Sequence, residues 1–262
     1  MPKFAYRGFT FHYVDRGAGF PFVFQHGLGG SAGQTADLFP PMENTRMISM
    51  DCRNHGDTQP SCAGDQLGFA ILARDVEALL DHLQIGNALF GGLSMGAGVA
   101  MRFALNNPDR VDGLLLVRPA WLDGPMPAHR LFTTVARLIR EDPLGREAMA
   151  ASQPFLELLE ASPDAAASLL RQFDDPQAAE RAARLDVMPM DSPIPALACL
   201  KSLSMRALVV ATDQDPIHPL RLARTLAAEL PNSALQQVTS KSADPIRHFQ
   251  EARSVIAQFR SS

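Results

Sequence analysis

Along this chain, short runs of nearly unbroken apolar residues alternate with longer stretches in which apolar residues recur every three or four positions. The short runs fall at 4–7, 9–15, 20–25, 46–50, 88–91, 113–117, 207–211 and 234–238. A half-solvated strand alternates apolar with polar residues, so uniformly apolar runs belong to strands covered on both faces, as in a parallel sheet flanked by helices. The first two, ended by Gly or Pro punctuation, read as a hairpin. Helical periodicity places Phe69, Leu72, Val76, Leu79, Leu80 and Leu83 on one face, with Gly86 as terminator. A second helix is predicted from Met95 to about Asn106, a third over 220–230 between Pro219 and Pro231, and a fourth over 245–260. This alternation predicts an α/β fold of the doubly wound kind. Residues 123–202 interrupt it, being Ala-rich, Pro-punctuated and helix-forming in stretches such as ARLIRED and AAERAARL. The chain therefore divides into a core, 1–122 and 203–262, and a helical cap, 123–202, expected over the sheet edge from which the loops emerge.

Composition narrows the partners. Of 262 residues 46% are hydrophobic, enough for a sizeable core, and 24 Lys and Arg against 28 Asp and Glu leave a formal charge of -4. That balance gives no electrostatic footing for nucleic acid or an anionic membrane. In the first twenty residues charged and polar positions interrupt every apolar stretch, so no signal-peptide core or transmembrane span is drawn, and a cytoplasmic protein is expected. Cys52, Cys62 and Cys199 are odd in number and lack Cys-x-x-Cys spacing, which argues for reduced thiols rather than disulfides or zinc. No metal-binding, phosphate-binding or calcium-loop motif is present, so the expected chemistry is cofactor-free and acts on a small molecule. Dimerisation through the helical insertion is open.

The strongest local signal is the segment Gly92, Leu93, Ser94, Met95, Gly96, between the run NALFG and the helical stretch MGAGVAMRFALNN. A Gly-x-Ser-x-Gly sequence at a strand-to-helix turn holds the serine hydroxyl exposed as a nucleophile, while the small flanking residues let the backbone pass. The same pentapeptide could simply close a tight strand and helix pair. At the helix start the Met95 N–H has no intrahelical partner and is a candidate oxyanion donor. In QHGLGG after the run 20–25, the glycines free the backbone to aim amides inward, and Leu28 N–H is the second candidate donor. His26 itself reads as a loop-packing residue.

Together these segments resemble the α/β-hydrolase fold family over nearly the whole chain. HGLGG is similar to its oxyanion loop, GGLSMGA to its nucleophile elbow, and DCRNHGDT to its Asp-x-Arg-Gly-His-Gly stretch with Asn54 in place of Gly. NNPDRVDGLLLVRPA and VVATDQDPIHP also match, the latter with Thr212 for the usual Gly. The resemblance implies a mostly parallel eight-stranded sheet and a cap-bearing serine hydrolase of esterase type, acting on a small, largely apolar ester, thioester or related acyl compound. Asp215 then falls at the acid position, with Asp213 as fallback, and orients a histidine.

The family normally places Gly-His just after the last strand, whereas here TSKSADPIRHF follows and no histidine stands near Ser242. His248, inside the last helix, becomes the expected general base, which keeps the order Ser, Asp, His and requires the helix start to shift or bend. A surface histidine on an amphipathic helix is the alternative. His218, three residues beyond Asp215, reads as part of a structural loop, and His55 as a hydrogen-bonded packing residue. Lys241 reads as a solvated loop lysine. Arg118 and Trp121 stand at the sheet edge where ligand sites collect, either lining a pocket or, respectively, pairing with a carboxylate and packing the insertion onto the core. The missing Gly-His motivates a competing reading, a family member that binds a small molecule or performs non-covalent acid and base chemistry.

Overall fold

The computed structural model describes residues 2–39 and 42–261, with backbone only at 36 and 37. Eight strands form one sheet: β1 (Lys3–Tyr6), β2 (Phe9–Gly17), β3 (Phe20–Gln25), β4 (Thr45–Met50), β5 (Ala88–Leu93), β6 (Val111–Val117), β7 (Ala207–Ala211) and β8 (Ser233–Gln237). Their spatial order is β1-β2-β4-β3-β5-β6-β7-β8. The β1–β2 and β2–β4 pairings are antiparallel and the rest are parallel. The first strands pair as the expected hairpin, and the order reverses at β3, so ligand-binding loops should gather at the carboxyl ends of the central strands.

The central strands are apolar throughout because alternate residues feed two cores. Val23, Phe90, Leu114, Leu116 and Val209 face one buried cluster, while Phe22, Phe24, Leu89, Leu115 and Val210 face the other. This is the period of two expected of a sheet buried on both sides. The first face is covered by α2 (Phe69–His82) and α3 (Met95–Asn106), and the second by α1 (Ala32–Leu38) and by the C-terminal helix through Ala252, Val255, Ile256 and Phe259.

Between β6 and β7 the described chain is helical: α4 (His129–Glu141), α5 (Gly145–Ala150), α6 (Gln153–Ala161), α7 (Pro163–Leu170), α8 (Ala178–Arg181) and α9 (Ala183–Val187), with 3₁₀ turns at Arg171–Asp174 and Leu197–Ser202. Its attachments to the sheet are polar as well as apolar. Trp121, 1% exposed, packs edge-on against Phe69 and donates its indole N–H to the Met188 carbonyl at 3.0 Å. Arg184 donates to the Asn54 carbonyl at 2.5 Å and Arg181 to that of Gly56 at 2.9 Å, and both guanidinium groups pair with Asp175. These buried arginines, paired with a carboxylate and with loop carbonyls through their terminal nitrogens, fix the insertion to the 51–58 loop, since a buried charge is tolerated only when it is paired. The chain ends with α10 (Leu220–Glu229) and α11 (Pro245–Ser261).

Candidate active site

The elbow is shaped by steric necessity. Ser94 lies between β5 and α3 at φ 55, ψ -110, a backbone state costing about 1–3 kcal/mol for a residue with a Cβ and found mostly where surroundings enforce it. A Cβ on Gly92 would strike the Gly96 backbone, and one on Gly96 would strike the Gln25 carbonyl, so Gly92 lets α3 start this close to β5 and Gly96 lets it pass this close to β3. Ser94 N–H donates to the Val117 carbonyl at 2.9 Å, continuing the β5–β6 ladder into the turn.

The hydroxyl so held meets His218, not His248. His218 Nε2 lies 2.9 Å from Ser94 Oγ, and His218 Nδ1 lies 2.9 Å from Asp215 Oδ2. Acid and base share one loop after β7. Asp215 Oδ1 accepts the Ile217 and His218 amides, both at 3.2 Å, which closes a turn and brings the imidazole of residue 218 back over the carboxylate. Asp215 Oδ2 also accepts from Arg118, at 3.0 Å from Nε and 2.5 Å from a terminal nitrogen. Burial alone would raise the Asp215 carboxyl, but the adjacent His218 and Arg118 outweigh it and hold the group far below the usual carboxylate range. It is therefore an anion at any working pH. With Asp215 as acceptor, His218 carries its proton on Nδ1 and presents an Nε2 lone pair to the serine, the arrangement required for general-base activation.

His248, expected as the base, is occupied elsewhere. Helix α11 begins at Pro245, and Asp244 caps it by accepting the Arg247 amide at 3.0 Å, so its start neither shifts nor bends toward the elbow. In this first turn His248 is 4% exposed and its Nδ1 lies 2.8 Å from the Thr239 carbonyl oxygen. Burial lowers its pKa, reinforced by Arg118 and Lys241, so the ring is neutral and donates Nδ1–H to that carbonyl. It lines the cavity without bonding Ser94. Around Ser242, where the family's Gly-His would stand, Ser242 Oγ instead lies 3.0 Å from Ser162 Oγ and accepts the Asp164 amide at 3.2 Å. Lys241 pairs with Asp164 at 2.7 Å rather than being a free loop lysine. The family's base position is here a seam to the helical insertion. His55 bonds the Arg53 carbonyl through Nδ1 at 2.8 Å and is held well below its ordinary pKa by burial and then by Arg184, as a packing residue. His26 accepts the Cys52 amide at 3.0 Å in the same role.

The sequence held a signal for His218 that position along the chain obscured. An Asp followed three residues later by His, with Pro216 and Pro219 interleaved, is a compact turn in which the carboxylate can take the loop amides and the ring together. Asp213, the fallback acid, is absent from this network.

Of the candidate oxyanion donors, Leu28 lines the same cavity as Ser94, and Met95 follows Ser94 as the first residue of α3. Gly27 N–H is used by Gln34 Oε1 at 3.0 Å and Gly30 N–H by the Gly27 carbonyl at 2.9 Å, whereas Leu28 N–H has no acceptor among the described residues. Met95 opens α3, where N–H groups lack intrahelical acceptors. Gly29, at φ 76, has a left-handed backbone that favours glycine and lies against the side-chain amide of Gln172 of the insertion. Ser94 and His218 open into a cavity of about 260 Å³, walled by apolar groups including Trp121, Phe132, Leu169 and Ile217 and by the polar Arg171 and Lys241. Among the described residues no cluster of His, Cys, Asp and Glu could hold a metal ion, and no helix is long and apolar enough to cross a membrane.

The chain belongs to the α/β-hydrolase fold family, whose model matches residues 21–246. It is 28% identical over 239 residues to 3-oxoadipate enol-lactonase 2 of Acinetobacter baylyi, covering 87% of this chain and 82% of that protein. Its fold is similar to the enol-lactonase of Burkholderia xenovorans, with TM-score 0.78 and 21% identity over the full length of both chains. A thermophilic esterase of Thermogutta terrifontis superposes with TM-score 0.73 and 25% identity over 98% of this chain and 97% of that one.

Proposed function

We propose that the protein is a cofactor-independent serine hydrolase that opens a compact, largely apolar carboxylic ester or lactone through an acyl-enzyme on Ser94. The observation that carries the reading is the continuous chain from Ser94 Oγ to His218 Nε2 and from His218 Nδ1 to Asp215 Oδ2, 2.9 Å at each link. Ser94 attacks the carbonyl carbon while His218 takes the hydroxyl proton. The amides of Leu28 and Met95 stabilise the oxyanion as it forms. His218 returns the proton to the departing alkoxide or enolate, and water, deprotonated by the same imidazole, then hydrolyses the acyl-enzyme. Asp215 fixes the imidazole tautomer and stabilises its cationic form.

Residues 123–202 serve as a cap in this reading, and the cavity of about 260 Å³ lies at the small end of ligand pockets, which favours compact substrates. Similarity to proteins named enol-lactonase and esterase favours an ester bond, open or cyclic. The competing non-hydrolytic reading rested on a missing histidine, and His218 in contact with the serine removes that motive.

Exposure of the pure protein to a fluorophosphonate, with intact mass and peptide mapping, tests the reading. Rapid stoichiometric modification of Ser94, abolished in His218→Ala, is the expected result. Absence of labelling in folded wild-type protein would overturn it.

A further inference from the structure

The mutual geometry of Asp215 and His218 is set within one turn, but nothing in that turn aims the pair at Ser94. The serine follows β5, the pair follows β7, and β6 lies between them. The residue immediately past β6 is Arg118, whose N–H donates to the Val210 carbonyl of β7 at 2.7 Å. Its backbone is left-handed, at φ 47, a strained state for a residue with a Cβ and one kept where the surroundings demand it. The guanidinium, its side chain 13% exposed, spends two of its nitrogens on Asp215 Oδ2, the same oxygen that serves His218, and one of them stands 3.4 Å from His218 Nδ1. A forked cation of this kind fixes orientation as well as charge.

We propose that Arg118 is a positioning residue for the hydrolysis proposed above: its guanidinium ties the Asp215–His218 loop across β6 into register with Ser94. The inference rests on that functional reading. The other groups facing His218 do not duplicate this tie. Ser94 is neutral, and Lys241, from the segment after β8, is paired with Asp164 of α7. Burial and the nearby Arg118 and Lys241 keep His248 of α11 neutral, and Arg171 of the insertion lines the cavity without bonding the Asp–His pair. Arg118 alone among the cavity cations touches both residues.

A merely stabilising ion pair would affect melting and leave kcat of the folded protein in place. The test compares wild type, Arg118→Gln and Arg118→Lys for kcat and KM on an activated aryl ester, with circular dichroism and melting as folding controls. In folded Arg118→Gln kcat should fall more than about tenfold at unchanged KM. Arg118→Lys keeps the charge and loses the paired N–H donors, so kcat should fall about tenfold at unchanged KM. Full kcat in folded Arg118→Gln, or in Arg118→Lys, overturns the proposal, and Arg118→Lys carries the test if Arg118→Gln does not fold. Failure of the underlying reading is separable, because wild-type Ser94 would then resist the fluorophosphonate.

Discussion

The loop that leaves β7 and the segment that leaves β8 both line the cavity above Ser94, and both carry a histidine, yet only the first reaches the serine. In the β7 loop the carboxylate is satisfied by its own turn amides and by the ring of residue 218, so the imidazole is oriented before any distant contact forms. In the β8 segment the corresponding polar groups are spent on holding structure. His248 is tied to the Thr239 carbonyl, Lys241 to Asp164, and Ser242 to the start of α7. Equal access to a cavity is therefore a poor guide to chemistry: both rings commit Nδ1, but that of His218 rests on a carboxylate with Nε2 at 2.9 Å from Ser94 Oγ, whereas that of His248 is spent on a backbone carbonyl.

Mutation should separate the two loops sharply. Ser94→Ala and His218→Ala should each lower kcat by about 10⁴ to 10⁶-fold without change in the circular dichroism spectrum, while His248→Ala retains wild-type kcat within about tenfold. The reverse ranking of the two histidines in steady-state assays would break the comparison. Asp215→Asn should lower kcat by about 10⁴-fold, because an amide can present its N–H to Nδ1 and favour the wrong tautomer. A burst of product equal to one enzyme equivalent, present in wild type and absent in this variant, would place the loss in acylation.

A smaller effect concerns stability. Burial lowers the pKa of His26, His55 and His248, so all three are neutral in the folded state when the unfolded chain already binds protons. The sign follows: stability is fully present above about pH 6.5, the unfolded value, and is lost as pH falls through the lower folded values. Tm should thus decline between about pH 7 and pH 5, and His55→Asn should flatten the decline. A Tm that rises on acidification would refute the assignment of these rings as buried and neutral.

Much of this architecture was legible in the residues. Uniform apolar runs marked strands buried on both faces, and glycines around Ser94 marked a strand-to-helix turn where the backbone passes without side chains, because both signals are local and steric. Asp215 was reached through the resemblance of VVATDQDPIHP to the family's acid loop. His218 was not, because the family pattern directs attention to the segment after the last strand and because a three-residue separation looks like a structural turn. The seating of the insertion was equally hidden. Arg181, Arg184 and Gln172 make their contacts with residues 54, 56 and 29, more than a hundred positions away, and no periodicity announces such partners.

The turn that joins Asp215 to His218 also orders events in folding. Bringing acid to base closes three residues, whereas bringing base to serine closes 124, a span that contains the whole helical insertion. Closure entropy grows with loop length, so the short contact can form early and the long one only after β5, β6 and β7 have aligned and the intervening helices have been accommodated. On the proposed function, a chain in which β5 and β7 are not yet aligned lacks the contact between Ser94 and His218, and activation of the serine would arrive only with the finished fold.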